Sequence, residues 1–253
     1  MLEHTKMADP ELYGITCEEL DRQEHNIEMI ASESTASLEI MELSGCVFTN
    51  KTTEGYPGAR FQAGSQIADK MERLGVERCK ALYGAEHANL QPYSGSTANY
   101  SVYAAVLTPG DAVLGMRLDQ GGHLTHGSPA NFLSKVYNFT SYGLHKDTEQ
   151  IDYDELERLA NEKRPKLISA GGSAYPRLID YERIGKIAKS VGAYLMVDMA
   201  HVSGLVAAKV IPSPVPHADF VTSSTTKTLC GPRGGLVLCR AEHAKALDKG
   251  VFP

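Results

Sequence analysis

The sequence has little of what marks a secreted, membrane-bound or nucleic-acid-binding protein. Its five cysteines, Cys17, Cys46, Cys79, Cys230 and Cys239, are widely spaced and form no CxxC pair, which argues for scattered reduced thiols rather than a zinc knuckle or a disulfide framework. No stretch approaches the roughly 20 apolar residues needed to cross a bilayer, and the opening MLEHTKMADPELYG lacks an apolar core behind a basic region. A cytoplasmic location and no membrane partner are the expectation. Lys and Arg number 25 against 31 Asp and Glu, a formal net charge of -6, and no long basic run occurs. Nucleic acid held by electrostatics is therefore not expected as a partner. A ligand carrying a phosphate has to be met locally.

What is present is material for a large core: 253 residues, of which 42% are hydrophobic and 22% charged. SQIADKMERLGVERCKALYG predicts an amphipathic helix with Ile67, Met71, Leu74, Val76 and Leu82 on one face and Gly84 as its stop. CEELDRQEHNIEMIASES reads as another helix. DAVLGM, PKLISAG, AYLMVDM, ADFVTSS and GGLVLC are short apolar runs bounded by Gly, Pro or Asp, the pattern of strands buried on both faces. DYDELERLANEKR and DYERIGKIAKSVG lie between such runs as helical crossovers, so the class is α/β with a mostly parallel sheet flanked by helices.

In such sheets ligands collect beyond the carboxyl ends of the strands, which directs attention to polar residues just after apolar runs. AYLMVDMAH leaves Asp198 at the end of one run with His201 three residues on. A carboxylate there needs a cation or a protonated ring nitrogen, or else caps the next turn. In LQPYSGSTANYSVYAAVL, Ser94, Gly95 and Ser96 precede a helix whose inner face would be Ala98, Val102, Ala105 and Val106. Small residues at a helix start leave N–H groups and hydroxyls for an anion, although an ordinary serine cap looks the same. LDQGGHLTHGSP has two glycines that let a ligand approach the backbone, then His123 and His126. Two histidines at this spacing are thin evidence for a metal, and none is expected. Finally, TSSTTKTLCGPRGG sets Lys227 among small, hydroxylated or flexible residues. A Schiff-base lysine, a carboxylate for a pyridinium nitrogen and a helix start for a phosphate are the requirements of pyridoxal phosphate.

IEMIASESTAS, TNKTTEGYPGAR, YGAEHANLQPYSGSTAN, GGHLTHGSPANF, SAYPRLIDY, GAYLMVDMAHVSGLVAA and PSPVPHADFVTSSTTKTLCGPRGG closely resemble, in order, the signature blocks of serine hydroxymethyltransferase. The resemblance runs from about Ile27 to Cys239. It implies the large domain of a fold-type I pyridoxal-phosphate transferase over residues 31–253, behind an N-terminal helical arm over residues 1–30. It also implies further large-domain residues and a C-terminal domain, including the arginine that meets the substrate carboxylate, so a truncated member or a fragment is expected. By position, Lys227 would bind the cofactor aldehyde, Asp198 its pyridine nitrogen and His123 its ring face. Ser94, Gly95 and Ser96 would hold the phosphate, and Ser173 and His201 the ring oxygen. Ser32 would lie near the substrate carboxylate, Glu54 would serve proton transfer in the folate-dependent step, and Leu118, Gly122 and Leu124 would receive the pterin of tetrahydrofolate.

The implied reaction moves the hydroxymethyl group of serine to tetrahydrofolate, leaving glycine, in a homo-oligomer whose sites are shared between subunits. Departures from the family pattern keep two alternatives open: an impaired pyridoxal-phosphate-binding homologue or subunit, and a folate-independent aldolase of β-hydroxy amino acids. Thr226 stands where the pattern has histidine before the lysine, Phe61 and Gln62 where it has two tyrosines, Thr52 where it has a tyrosine, and Gln120 where it has a histidine.

Overall fold

The structure, a computed structural model, describes residues 2–253 and divides the chain into two compact units, Met1–Glu33 and Ser34–Pro253. In the first, α1 (Glu3–Ala8) is followed by α2 (Pro10–His25). Asp9 caps α2 by accepting from the Leu12 N–H at 3.0 Å, and Pro10 sits at the first helical position, where a missing N–H costs nothing. The helix expected through CEELDRQEHNIEMIASES stops at His25. Asn26 turns into extended backbone and its side chain donates to the Arg22 carbonyl at 2.6 Å, closing the last turn.

The second unit begins with α3 (Leu38–Ser44) and a two-stranded hairpin, β1 (Gly55–Tyr56) with β2 (Ala59–Arg60). Then follow α4 (Gln66–Tyr83), β3 (His87–Asn89), α5 (Gly95–Val106), β4 (Ala112–Met116), β5 (Asn138–Tyr142), α6 (Tyr153–Lys163), β6 (Leu167–Gly171), α7 (Tyr181–Val191), β7 (Tyr194–Asp198), α8 (Ser203–Ala207), β8 (Phe220–Ser224), β9 (Gly235–Cys239) and α9 (Ala244–Val251). The seven-stranded sheet has the order β3-β9-β8-β7-β6-β4-β5. Strands β5, β4, β6, β7 and β8 run parallel, while β9 is antiparallel to both β8 and β3.

Alternation along each strand fills two core layers. Leu114, Met116, Ile168, Leu195, Val197 and Val221 pack with Leu156, Ile184 and Ile187 of α6 and α7. Val113, Leu167, Met196, Phe220 and Val237 pack with Ala98, Val102, Tyr103 and Leu247 on the other side. Both faces are thus dry, which is why these strands read as unbroken apolar runs.

Helix α4 differs from its sequence reading. Ile67, Met71, Leu74 and Leu82 are 54%, 49%, 50% and 47% exposed, and the helix instead buries Ala68, Cys79 and Tyr83, with Val76 partly buried against the core. The helix carries two apolar stripes about 100° apart, and periodicity alone does not say which one meets the sheet.

Candidate active site

Because β4, β6, β7 and β8 are parallel, their carboxyl ends bring Met116, Gly171, Asp198 and Ser224 to one edge. The segments that follow these ends carry His123, Ser173, His201 and Lys227. Sequence separation of more than a hundred residues is thereby removed by topology.

Asp198 is the hub. It is buried, and Oδ2 accepts from Asn99 Nδ2 at 2.8 Å and from His126 Nε2 at 3.3 Å, while Oδ1 accepts from the Ala200 N–H at 3.0 Å. Burial pushes its carboxyl up, but the N–H donors of His126, Asn99 and Ala200 outweigh it and hold the group below the usual carboxylate range. A carboxylate offers about four acceptor positions, so three donors leave room for one more.

Histidine tautomers follow from backbone donors. The His123 N–H donates to His126 Nδ1 at 3.2 Å, so the His126 proton is on Nε2, aimed at Asp198. The Thr125 N–H donates to His123 Nδ1 at 3.2 Å and the Thr125 hydroxyl lies 2.8 Å from the same atom, which leaves the His123 proton on Nε2. Burial pushes the His123 imidazole down to about 4, with Asp198 opposing. Its ring sits 5.6 Å from that of His126, edge to face.

Lys227 occupies the turn between β8 and β9, where Cys230, at φ 56°, donates its N–H to the Lys227 carbonyl at 2.8 Å. Burial lowers the Lys227 ammonium from its ordinary value and the Asp198 charge opposes it, so the amine loses its proton more readily than a surface lysine. His201 is also lowered, first by burial and then by the Lys227 charge. The Thr228 hydroxyl donates to the His201 carbonyl at 2.9 Å, tying the two loops together.

At the start of α5, Ser94 is a cap: its Oγ accepts from the Thr97 N–H at 3.2 Å, and Thr97 Oγ1 accepts from the Ser94 N–H at 2.7 Å. The N–H groups of Gly95 and Ser96 have no partner among the described residues. Beside them lies Ser224, 6% exposed, whose buried Oγ also has no hydrogen-bond partner.

The remaining candidates lie on the loops after β6 and β4, before β1, and in the N-terminal unit. The Ser173 N–H donates to the Gly121 carbonyl at 2.7 Å, joining the loops after β6 and β4. Gly121 has φ +107° and Gly122 lies so close to Met116 that a Cβ would stand 2.3 Å from its carbonyl oxygen. Leu118 and Leu124 are exposed on that loop. Glu54, exposed, precedes β1, and Gln62 folds onto it: Gln62 Oε1 accepts from the Glu54 N–H at 2.9 Å, and Gln62 Nε2 donates to the Glu54 carboxylate. Ser32 belongs to the N-terminal unit.

A family model described as serine hydroxymethyltransferase matches residues 5–251. This chain belongs to the serine hydroxymethyltransferase family. The architecture is that of the fold-type I large domain of these transferases, which depend on pyridoxal phosphate.

The residues present fit that cofactor. An orphaned serine hydroxyl and two free N–H groups at a helix start suit a phosphate, and the one open acceptor position on Asp198 suits a pyridinium N–H. His123, His126 and Asp198 also bring three ligand atoms within 4.8 Å of one another, the set a metal ion would use. Both nitrogens of His126 and one of His123 are already engaged in the hydrogen bonds above, so the set is accounted for without an ion.

Among the family's departures, Gln120 has a structural task, accepting from the Leu144 N–H at 2.7 Å. Asn99, Thr222 and Ser224 escaped the sequence reading, and His126 figures there only as half of a weak metal pair. Asn99 and His126 stand in the quoted motif blocks, but nothing in a linear string shows that both converge on Asp198.

Proposed function

We propose that this chain acts as a serine/glycine hydroxymethyltransferase, using pyridoxal phosphate to pass the hydroxymethyl group of serine to tetrahydrofolate and yield glycine and 5,10-methylenetetrahydrofolate. The observation that carries this reading is the meeting of Lys227, Asp198 and the start of α5, with its unpartnered N–H groups beside Ser224, at one sheet edge within a chain of this family. Bound there, the cofactor supplies a ring that draws electrons from the substrate α-carbon.

In this reading the protein supplies position and protons. Lys227 offers its amine to the cofactor carbonyl, eased by its lowered affinity for a proton. Asp198, anionic and held on three sides, keeps the ring nitrogen protonated. His123 covers the ring face, Ser173 and His201 hold its oxygen, and Ser94, Gly95 and Ser96 hold the phosphate. Ser32 meets the substrate carboxylate, Glu54 moves the proton needed in the folate step, and Leu118, Gly122 and Leu124 receive the pterin. The chain works as a homo-oligomer with shared sites, which the exposed stripe on α4 and the exposed Phe61 beside Glu54 support.

One observation favours a second reading, that of an impaired cofactor-binding homologue or a folate-independent aldolase. Gln62 engages the Glu54 carboxylate, the group asked to move a proton. A single experiment addresses all three. The protein is mixed with pyridoxal phosphate, reduced with borohydride and mapped by mass spectrometry; in parallel, α-proton exchange of glycine in D2O is followed by NMR with and without tetrahydrofolate. A pyridoxyl mass on Lys227 with folate-stimulated exchange is expected. Absence of the mass on Lys227 sinks the cofactor assignment, label without exchange supports the impaired homologue, and exchange indifferent to folate supports the aldolase.

A further inference from the structure

Behind the site lies a buried polar chain that none of the roles above uses. Thr222 Oγ1 donates to Asn99 Oδ1 at 2.5 Å, and Asn99 Nδ2 donates to Asp198 Oδ2 and to Thr125 Oγ1, both at 2.8 Å. Asn99 and Thr125 are 0% exposed, as is Thr222. Every hydrogen-bonding atom of the Asn99 amide is therefore committed, and its orientation is forced, because an ionised Asp198 accepts and never donates. With one lone pair taken by Asn99, the Thr125 hydroxyl turns its own hydrogen to His123 Nδ1, 2.8 Å away. Donation runs outward from Asn99 Nδ2, to Asp198 on one side and through the Thr125 hydroxyl to the ring of His123 on the other.

We infer that Asn99, braced by Thr222, is a positioning residue that ties the orientation of the Asp198 carboxylate to the hydrogen bond made by the Thr125 hydroxyl at His123 Nδ1, beside the Thr125 N–H that already holds the Nε2–H tautomer. The inference deepens the proposed function and rests on it for its meaning. Asp198 and His123 are the groups assigned to the edge and the face of the same ring. A fixed bond at Nδ1 holds the imidazole in one orientation over that ring, and a fixed carboxylate presents one open acceptor position. Low dielectric strengthens each link and makes a broken one costly, so the chain acts as a unit.

The test uses variants that reverse or cut the chain. In Asn99→Asp the one nitrogen that faces both Thr125 and Asp198 becomes an oxygen; the two buried acids must share a proton, and the Thr125 hydrogen turns to the new acceptor and away from His123. In Thr125→Val the link is lost, and Thr125→Ser keeps it. The His123 ring nitrogens are read by 15N NMR of the cofactor-free protein, with amide dispersion confirming the fold, and pyridoxal phosphate affinity is titrated on the same samples. Wild type is expected to show the Nε2–H tautomer alone. Asn99→Asp is expected to shift the His123 Nδ1 resonance toward that of an acceptor held by the Thr125 N–H alone, and to weaken cofactor binding at least about tenfold because Asp198 loses a donor and shares a proton with the new carboxyl. Thr125→Val, which keeps the backbone donor, is expected to give the same Nδ1 shift with the Nε2–H tautomer retained, and Thr125→Ser to restore the wild-type resonance. A His123 pattern unchanged in both Asn99→Asp and Thr125→Val overturns the inference, and if only one variant folds, an unchanged pattern in that one suffices. Failure of the wild type to bind pyridoxal phosphate would count against the proposed function instead, while the NMR pattern still decides the relay.

Discussion

Gly95 and Ser224 are pressed together: a Cβ on Gly95 would stand 3.3 Å from both the Cβ and the backbone nitrogen of Ser224. The first turn of α5 therefore meets the end of β8 with only glycine fitting freely between them, and the unpartnered Ser224 hydroxyl lies at that junction. A buried hydroxyl without a partner costs roughly 1–3 kcal/mol, so a site that keeps one has a use for it. Ser224→Ala is expected to leave the thermal midpoint of the cofactor-free protein unchanged or higher and to weaken pyridoxal phosphate about tenfold. Gly95→Val crowds the same place and is expected to weaken the cofactor at least as much. Unaltered affinity in both, measured by titration, would remove the phosphate from this junction.

Lys227 and Lys186 make a matched pair for testing amine reactivity. Burial lowers Lys227, whereas the Glu182 carboxylate, bonded to Lys186, raises that exposed group. At pH 8 the fraction of free amine is larger on Lys227, so reductive methylation is expected to label it ahead of Lys186 despite its poorer access. Asp198→Asn removes the charge that opposes the shift and is expected to move the Lys227 labelling profile to lower pH. Peptide mass spectrometry across pH 6–10 reads both outcomes, and a Lys227 profile at or above that of Lys186 would contradict the lowered affinity.

His123 predicts an acid-side loss of stability. Its folded value is pushed down to about 4 from an ordinary 6.5, so between these limits the unfolded chain binds a proton that the folded chain does not. The contribution is complete above pH 6.5, falls as pH drops through this window and is gone below about 4. The thermal midpoint of the cofactor-free protein is expected to decline from pH 7 to pH 5, and less steeply in His123→Gln. Equal slopes for the two proteins would show that this imidazole is not the one being protonated.

Arg60 anchors the hairpin that follows Glu54. Its side chain, 4% exposed, pairs with Asp69 at 2.9 Å and with Glu72, and donates to the Thr53 carbonyl at 2.7 Å and to the Gly55 carbonyl. Arg60→Met takes the guanidinium from two carboxylates and two carbonyls, although Asp69 keeps the Gly58 N–H, and Glu72 and the Gly55 carbonyl keep Gln91 Nε2; removing one partner of a buried pair costs about 3–5 kcal/mol. Urea unfolding is expected to show a loss of that size, and a change below about 1 kcal/mol would mean that water replaces the guanidinium.

How much of this was legible in the sequence depended on burial. β4, β6, β7, β8 and β9 lie between two helical layers, so their residues are uniformly apolar and stand out as runs. β3, with His87 and Asn89, and β5, with Asn138, Thr140 and Ser141, are edge strands whose polar residues hide them. The motif blocks carried the family, but Asn99, Thr125 and Thr222 matter through bonds that span 26, 99 and 123 positions of sequence, a relation only the sheet order creates. Gln62 reads as a lost phenol in the sequence; in the structure it is a clamp on Glu54.

The two apolar stripes of α4 lead to the last prediction. One stripe covers the sheet through Ala68, Cys79 and Tyr83, and the other leaves Ile67, Met71, Leu74 and Leu82 half in water. Side chains of this kind lose roughly 1.5–3 kcal/mol each when left exposed rather than buried, a cost a second copy of the chain would relieve. Leu74→Glu places a charge mid-stripe without touching the buried side, so the monomer fold should persist. Sedimentation velocity is expected to show an oligomer for the wild type and a shift toward monomer for Leu74→Glu, with an unchanged circular dichroism spectrum. A wild type that sediments as a monomer at tens of micromolar would remove the shared site from the proposal.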